Sequence, residues 1–301
     1  MQTTSHLLMI EPVNFGFNTE TAINNSFQKD SGDIQQKALE EFRGLVSILQ
    51  QNKLDVLVVK DTETPYTPDS IFPNNWISFH EDGNVFLYPM FSANRRLEKK
   101  QQVLNALKER FSFNETIDLS DYEERGYYLE GTGSMVLDRI NRIAYACLSP
   151  RTSTELIQAF CNINQYRSIE FIARDRAGAN IYHTNVMMCV ADRYAVICLS
   201  AITDQKEKEN IVTALQNCSK EIIDISMEQL YCFAGNMLQV INAENELLLV
   251  MSTQAYESLN AKQIEQIEKY NRIVHSPLYH IEAAGGGSAR CMIAEIFLPP
   301  K

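Results

Sequence analysis

The sequence predicts an α/β fold in which five similar units close into a ring. A pattern of two short apolar strands joined by a turn begins at Asn75 and returns at Ser134, Asn185 and Asn236. A shorter copy begins at Ser288, so the starts lie 51 to 59 residues apart, a spacing typical of repeat architectures. Each full copy is followed by apolar residues at helical spacing and then by a short extended run. The shorter copy contains only one apolar strand, and the segments that would complete it lie near the N-terminus.

The first copy shows the unit clearly. Its two apolar runs, within NWISFHEDGNVFLYPM at residues 75–90, surround a Glu-Asp-Gly-Asn turn with strong hairpin character. Val103, Leu104 and Leu107 then follow at helical spacing, and ETIDLS completes the unit as an extended run. The next three units end in the same way, with RSIEFIA, KEIIDIS and NRIVHSP. The predicted unit is therefore hairpin, helix, strand.

The fifth unit is predicted to be split between the two ends of the chain. The C-terminal run SARCMIAEIFLP needs a partner strand, and HLLMIEPV near the N-terminus can supply it. A helix over residues 34–49 and the strand DVLVV then complete the unit. Joining the ends removes an exposed sheet edge, which favours a closed ring. We therefore expect one domain over residues 1–301.

Composition excludes several classes of function. The chain has 301 residues and a net charge of −11, which argues against nucleic acid or an anionic membrane as partner. No apolar run approaches the ~18 residues that would span a bilayer. The charge balance says nothing specific about a small-molecule substrate, and the sequence leaves a homodimer open.

The cysteines indicate a reducing compartment. There are seven, an odd number at irregular spacing, so a disulfide framework is not expected. No C-x-x-C pair or His/Cys cluster has the spacing of zinc ligands, and neither a metal nor a cofactor is expected. The first residues lack the features of a signal peptide, so the expected location is the cytoplasm.

Several polar residues share one position in the repeat, at or just before the start of a hairpin. They are Asn74, Asn75, Glu130, His183, Asn185 and Cys291. In a ring, one position in the repeat corresponds to one end of the central axis. We therefore expect these side chains to face a common cavity.

Three of these residues suit nucleophilic catalysis. Cys291 follows three glycines, where the backbone can bend sharply or approach a bound molecule. A cysteine attacks as the thiolate, and a histidine often supplies the setting that this requires. His183 can protonate a leaving amine and then activate water, while Glu130 can hold the imidazole or bind a substrate N–H.

These motifs resemble those of the guanidino-group modifying superfamily, which includes arginine and agmatine deiminases, dimethylarginine dimethylaminohydrolases and amidinotransferases. LEGTG at 129–133 is similar to the segment that carries the catalytic acid, YHTN contains the histidine, and the glycine-rich C-terminal run contains the cysteine. The resemblance implies a pentein, a five-bladed pseudo-symmetric α/β propeller, with Glu130, His183 and Cys291 as catalytic residues.

The resemblance also implies a subsite for a substrate carboxylate. SPRTS at 149–153 is similar to the family's Ser-x-Arg-Thr segment and assigns this role to Arg151. NRRLE at 94–98 resembles an Arg-Arg-x-Glu segment and adds Arg95.

Carboxamides stand where the family usually has carboxylates. Asn74 and Asn75 occupy one such place and Asn185 another, while Thr132-Gly133 replaces a Gly-Asp pair. Carboxylates there pair with a cationic guanidinium, whereas carboxamides suit a neutral ureido group that has both a C=O acceptor and N–H donors. FPNNW followed by LEGTG resembles the citrulline-utilisation branch, so hydrolysis of citrulline to ornithine, carbon dioxide and ammonia is the favoured hypothesis.

Other hypotheses stay open from the sequence. An arginine or agmatine deiminase, or a dimethylarginine dimethylaminohydrolase, would use the same residues on a guanidine, and so would an amidinotransferase. A non-catalytic pentein that acts by binding is the alternative of another class. A seven-bladed all-β propeller is disfavoured because helical segments follow the hairpins.

Overall fold

The computed structural model describes residues 1–30, 32 and 34–301, and its strands form small three-stranded sheets. The strands among these residues are β1 (His6–Glu11), β2 (Asp55–Lys60), β3 (Ile77–Phe79), β4 (Asn84–Leu87), β5 (Glu115–Asp118), β6 (Met135–Asp138), β7 (Ile143–Cys147), β8 (Arg167–Phe171), β9 (Met188–Val190), β10 (Tyr194–Ile197), β11 (Glu221–Asp224), β12 (Leu238–Ile241), β13 (Leu247–Ser252), β14 (Arg272–Ser276) and β15 (Ala294–Ile296).

The described strands group into five blades of identical connectivity. Blade 1 is β3-β4-β5, blade 2 is β6-β7-β8, blade 3 is β9-β10-β11, blade 4 is β12-β13-β14 and blade 5 is β15-β1-β2. In each blade the middle strand pairs antiparallel with the first strand and parallel with the third. A parallel pair needs a crossover connection, and the predicted helices provide it. The predicted order of hairpin, helix and strand is confirmed.

The α-helices lie between the strands. In the described part of the chain they are α1 (Thr19–Ala22), α2 (Gln35–Gln51), α3 (Ala93–Arg96), α4 (Gln101–Arg110), α5 (Gly131–Ser134), α6 (Thr154–Asn164), α7 (Thr184–Met187), α8 (Gln205–Asn217), α9 (Met227–Tyr231), α10 (Thr253–Ser258), α11 (Ala261–Glu268) and α12 (Tyr279–Gly285). Helix α2 shows why they pack: Ala38, Phe42, Leu45 and Leu49 recur at three- or four-residue spacing and are buried. None of the described helices has the length and apolar character needed to cross a membrane.

The two chain ends complete blade 5 as the sequence predicts. In β1, Leu8 pairs antiparallel with Ala294 of β15 and parallel with Leu57 of β2. The middle strand of this blade therefore comes from the N-terminus and its first strand from the C-terminus. This pairing leaves β1 with a neighbour on both sides, in agreement with the ring-closure argument.

The first strand of each blade lies toward the centre of the ring. β15 lies against β3, β6 against β9, and β9 against β12. Every residue of β3, β6, β9 and β15 is buried, whereas the third strands carry exposed residues. The segments immediately before the inner strands are therefore brought to one end of the central axis.

The inner strands begin later than the sequence predicts. The last one was expected to start at Ser288, yet β15 starts at Ala294, and Cys291 lies in a turn where its N–H donates to the Ser288 carbonyl at 2.9 Å. Pro73–Asn75, α5 and α7 are likewise one-turn helices ahead of their strands. Polar residues that face a cavity do not sustain a ladder, so these positions leave the strand pattern.

Candidate active site

The predicted catalytic residues lie on the turns that precede the inner strands. Glu130 is the residue before α5, His183 is the residue before α7, and Cys291 lies in the turn before β15. All three are buried. The structure therefore brings together side chains that are up to 161 positions apart, since 291 − 130 = 161.

One pocket joins the sulfur to the imidazole. Cys291 and His183 both line it. Glu130 lies directly behind the imidazole. The other lining residues are Thr21, Asn25, Asp69, Phe72, Asn75, Arg95, Arg151, Tyr182, Gly285, Gly286 and Gly287.

Glu130 orients His183 from behind. Nε2 of His183 lies 2.8 Å from Oε2 of Glu130, and Oε1 of Glu130 accepts a hydrogen bond from the Phe91 N–H at 3.0 Å. Nδ1 of His183 has no hydrogen-bond partner in the described part of the chain. If Nε2 carries the proton toward the carboxylate, Nδ1 is free to accept one, which is the arrangement of a general base.

Burial and charge set the protonation states of this pair. Burial acts to raise the pKa of Glu130, but the charge of Arg151, the hydrogen bond with His183 and the charge of Arg95 outweigh it and hold the pKa well below its usual range. Burial lowers the pKa of His183 to about 4, against the opposing effect of Glu130. A carboxylate facing a neutral imidazole is therefore the resting state near neutral pH.

Both predicted arginines line the pocket close to Glu130. Arg95 donates through Nε and Nη2 to the two carboxylate oxygens of Glu98, each at 2.9 Å, and through Nη1 to Oδ1 of Asn75 at 2.8 Å. Nη1 of Arg95 lies 3.8 Å from Oε2 of Glu130, and Nη1 of Arg151 lies 3.6 Å from it. Arg151 also lies over the ring of Tyr182, at 4.9 Å.

The predicted asparagines divide into two groups. Asn75 lines the pocket, whereas Asn74 and Asn185 are not among the lining residues. Nδ2 of Asn74 donates to the Thr132 hydroxyl at 3.3 Å, so this side chain supports the segment around Glu130. Nδ2 of Asn185 lies 3.4 Å from the sulfur of Cys291, and its Oδ1 is buried without a partner. Asn185 therefore contacts the nucleophile candidate rather than open pocket space.

Close packing requires a glycine beside the imidazole. A Cβ on Gly133 would lie 2.3 Å from Nδ2 of Asn75 and 2.9 Å from Nδ1 of His183. Both distances are shorter than side chains tolerate, so any residue with a side chain would displace the base or the amide.

Asp69 is a lining residue that sequence reasoning missed. Its Oδ2 accepts from Nδ2 of Asn18 at 2.7 Å and from the Thr21 hydroxyl at 3.1 Å, and Nε of Arg95 lies 3.9 Å away. Its Oδ1 is buried and has no partner. Asp69 lies six positions before Asn75 and outside the repeated position, so the repeat could not have indicated it.

The N-terminal segment around α1 was also missed. Nε of Arg151 donates to Oδ1 of Asn24 at 2.8 Å, and its Nη2 donates to the Thr21 carbonyl at 2.8 Å. Thr21 and Asn25 line the pocket themselves. This segment is irregular apart from one short helix, and its polar residues carry no periodic signal.

Asn236 could have been found from the repeat. It starts the fourth hairpin, at the position that Asn75 and Asn185 occupy in theirs. In the structure its Nδ2 lies 3.2 Å from the sulfur of Cys291.

The five-bladed ring with a thiol, an imidazole and a carboxylate at one end of its axis has the pentein fold. A family match over residues 11–298 places the chain in the guanidino-group modifying superfamily. Residues 11–298 match the family of eukaryotic N,N dimethylarginine dimethylhydrolases, and the chain belongs to this family. The protein is thus a hydrolase of C–N bonds in amidines or related linear amides. No curated protein matches the sequence.

Solved structures share the fold. Apo ArgZ, an arginine dihydrolase from the ornithine-ammonia cycle in cyanobacteria, superposes with a TM-score of 0.77 and 19% identity over 98% of this chain, which spans 41% of the ArgZ chain. Unliganded AgrE gives 0.77 and 19%, with 98% of this chain and 40% of that chain covered. A dimethylarginine dimethylaminohydrolase variant, in an adduct with S-methyl-L-thiocitrulline, gives 0.67 and 13%, with 98% and 100% covered.

Proposed function

We propose that the protein hydrolyses a ureido amino acid, with citrulline giving ornithine, carbon dioxide and ammonia. The observation that carries this proposal is that most carboxylate oxygens around the pocket already have hydrogen-bond partners within the protein. Glu130 is engaged by His183 and the Phe91 N–H, and Glu98 is engaged by Arg95. Among the described residues that line the pocket, Asp69 alone offers a carboxylate oxygen without a partner.

Arg151, Arg95 and Asp69 suit the amino-acid end of the substrate. The guanidinium groups of the two arginines can donate charge-assisted hydrogen bonds to an α-carboxylate. Burial raises the pKa of Asp69 even though Arg95 acts in the opposite direction, as expected of a buried carboxylate with incomplete compensation. An α-ammonium group would supply the missing countercharge to Oδ1. With this oxygen used for the ammonium, none is left for a substrate guanidinium.

The side chains near the sulfur are neutral amides. Asn75 lines the same pocket as Cys291, and Asn185 and Asn236 contact the sulfur itself. Amides can donate to a ureido oxygen and accept from its N–H groups without a charge on the substrate. A guanidinium in the same place would lose its hydration without gaining a countercharge, which is unfavourable.

The first step forms a bond from sulfur to carbon. Nδ1 of neutral His183 takes the proton of Cys291, and the thiolate attacks the ureido carbon. The bond between that carbon and the side-chain nitrogen breaks, and the imidazolium returns its proton to this nitrogen. Ornithine leaves, and a carbamoyl group remains on the sulfur. Glu130 stabilises the imidazolium while it exists.

The second step restores the enzyme. Nδ1 of His183 takes a proton from water, and the resulting hydroxide attacks the carbamoyl carbon. The bond to sulfur breaks, the thiolate regains a proton from the imidazolium, and carbamate leaves. Carbamate then decays to carbon dioxide and ammonia.

Membership in the dimethylarginine dimethylhydrolase family favours a second candidate, hydrolysis of a guanidino amino acid such as a methylated arginine. Attack of Cys291 on the guanidino carbon would then release dimethylamine, and the rest of the amino acid would stay bound to the sulfur through that carbon until water releases it as citrulline. The two candidate substrates differ in the group that Cys291 attacks, which is a ureido group in one and a guanidino group in the other. In both, the amino-acid end would bind beside Arg151, Arg95 and Asp69.

The deciding experiment is a substrate panel with citrulline, Nω,Nω-dimethylarginine, arginine and agmatine. Ornithine formed from citrulline supports the proposal, and loss of this activity in Cys291→Ala, but not in Cys218→Ala, ties it to the pocket. Dimethylamine or ammonia released with citrulline as product, with citrulline itself inert, would replace the proposal by the guanidine hydrolase. No turnover of any compound, together with no alkylation of Cys291, would favour a binding protein.

A further inference from the structure

The side chain of Asn236 contacts the sulfur of Cys291 from a fixed orientation. Its Nδ2 lies 3.2 Å from the sulfur and donates to the Asn185 carbonyl at 2.9 Å. Its Oδ1 accepts a hydrogen bond from the backbone N–H of Arg290 at 3.0 Å. Because a backbone N–H can only donate and a carbonyl can only accept, these two contacts determine which end of the amide is Nδ2. The end that faces the sulfur must be the N–H donor.

The second amide at the sulfur is held less firmly. Nδ2 of Asn185 lies 3.4 Å from the sulfur, but its Oδ1 has no partner and is buried. Among the described residues, no second contact therefore fixes the orientation of this amide. The two asparagines hold equivalent positions in blades 3 and 4, yet only the Asn236 amide is pinned at both ends within the described residues.

Arg290, the cationic residue that precedes Cys291, pairs with groups other than the Cys291 sulfur. Arg290 donates through Nη1 to the Ile293 carbonyl at 2.8 Å and through Nη2 to Glu295 at 2.9 Å. Its charge is thus compensated by a carboxylate. The other charged or titratable groups around Cys291 lie across or beside the pocket and are His183, Tyr182, Asp69, Arg95 and Arg151.

We propose that Asn236 is a catalytic residue that stabilises the Cys291 thiolate through a neutral N–H donor fixed by the Arg290 backbone. This proposal rests on the proposed nucleophilic role of Cys291. It identifies Asn236 as the group that favours ionisation of the Cys291 thiol. Asn236 is fully buried, so water does not compete for the donor, and hydrogen bonds to charged acceptors are the strong ones. The neutral donor also adds no positive charge that would repel a cation or bind a stray anion.

The test is the pH dependence of Cys291 alkylation by iodoacetamide, which needs no substrate. Cys218→Ala serves as the matched control, because Cys218 is a partly exposed cysteine away from the pocket lining. Asn236→Asp is nearly isosteric and keeps the acceptor for the Arg290 N–H, but places a negative charge beside the sulfur. Asn236→Ala removes the donor without adding a charge, and it also removes the acceptor for the Arg290 N–H.

The expected result is an alkylation midpoint that moves to higher pH in the order wild type, Asn236→Ala, Asn236→Asp. Loss of a hydrogen bond to a charged group should reduce the alkylation rate at neutral pH about tenfold to a hundredfold. Folded Asn236→Asp with an unchanged midpoint overturns the inference. If both variants unfold, the side-chain amide signal of Asn236 in isotope-labelled wild type decides: it must titrate together with Cys291, and a signal that does not respond contradicts the proposal.

These outcomes are separate from those of the proposed function. If Cys291→Ala still turns over substrate, Cys291 is not the nucleophile and both proposals fail. A normal substrate profile with an unshifted midpoint in Asn236→Asp removes only the role of Asn236.

Discussion

Nε2 of His183 lies 2.8 Å from Oε2 of Glu130, and this contact leaves Nδ1 as the nitrogen available for proton transfer. His183 precedes the first strand of blade 3 and Glu130 that of blade 2. The Glu130 carboxylate is also within 4 Å of Arg95 and Arg151. Orientation of the imidazole and compensation of the carboxylate are thus provided by one cluster.

Glu130→Gln separates these two effects. The amide oxygen can still accept from Nε2, but the charge that stabilises the imidazolium is lost. We expect kcat to fall about 100-fold or more with a small change in KM, because the charge acts while the proton is on His183. Steady-state kinetics measure both values. Glu268→Gln, on an exposed helical position, is the control, and equal losses in the two variants would contradict the assignment.

The pH profile should reveal the buried histidine. The pKa of His183 is lowered to about 4, so the base stays neutral well below the usual histidine range. Activity that needs neutral His183 is present above this pKa and is lost as the pH falls through it. We expect the acidic limb of kcat/KM near pH 4, and His275→Ala, which changes an exposed histidine, should not move it. An acidic limb above pH 6 would show that another group controls activity.

Gly133→Ala tests the packing around the base. The new methyl group would lie within 3 Å of Nδ1 of His183 and Nδ2 of Asn75. We expect activity to fall at least tenfold while the melting temperature changes much less, since a displacement of about 1 Å at a catalytic group is costly. Gly16→Ala is the matched control, because nothing lies within 4 Å of its Cβ position. Full activity in Gly133→Ala would show that the pocket is looser than the structure indicates.

Glu282 should make stability depend on pH. Burial raises its pKa to about 7, although the Ser252 and Ser288 hydroxyls act in the opposite direction. In the folded state it therefore keeps its proton up to about pH 7, while the unfolded chain releases it near the ordinary value of 4.5. The stability that this proton contributes is present at low pH and is lost as the pH rises through 7, with a total on the order of 3 kcal/mol.

Glu282→Gln removes this titration and leaves the rest of the pH dependence in place. Urea unfolding of both proteins at pH 5 and pH 8 measures the difference. We expect the variant to gain stability relative to wild type at the higher pH. A constant difference between the two proteins would mean that Glu282 titrates normally.

The repeat made much of the fold predictable. The hairpin spacing and the unmatched C-terminal run indicated five blades and the split blade 5, because strand pairing and edge protection are strong constraints. The position in the repeat also selected Glu130, His183 and Cys291. The onset of β15 was misjudged, since apolar residues such as Met292 and Ile293 suit a buried turn as well as a strand.

The irregular segments hid the remaining features. Asp69 and the Asn18 to Asn25 stretch reach the pocket through loops, whose paths depend on tertiary contacts rather than local pattern. Arg95 lines the pocket, but its bidentate pairing with Glu98 could not be read from residue spacing alone. The sequence likewise could not show that Asn75 lines the pocket whereas Asn185 contacts the sulfur of Cys291.

The most direct measurement is peptide mass spectrometry of protein quenched during turnover of citrulline. The account predicts a carbamoyl group on the peptide that contains Cys291, absent before substrate is added and absent in Cys291→Ala. Turnover of citrulline with Cys291 unmodified under conditions that trap the thiocarbamate, or with the adduct on another cysteine, would contradict it.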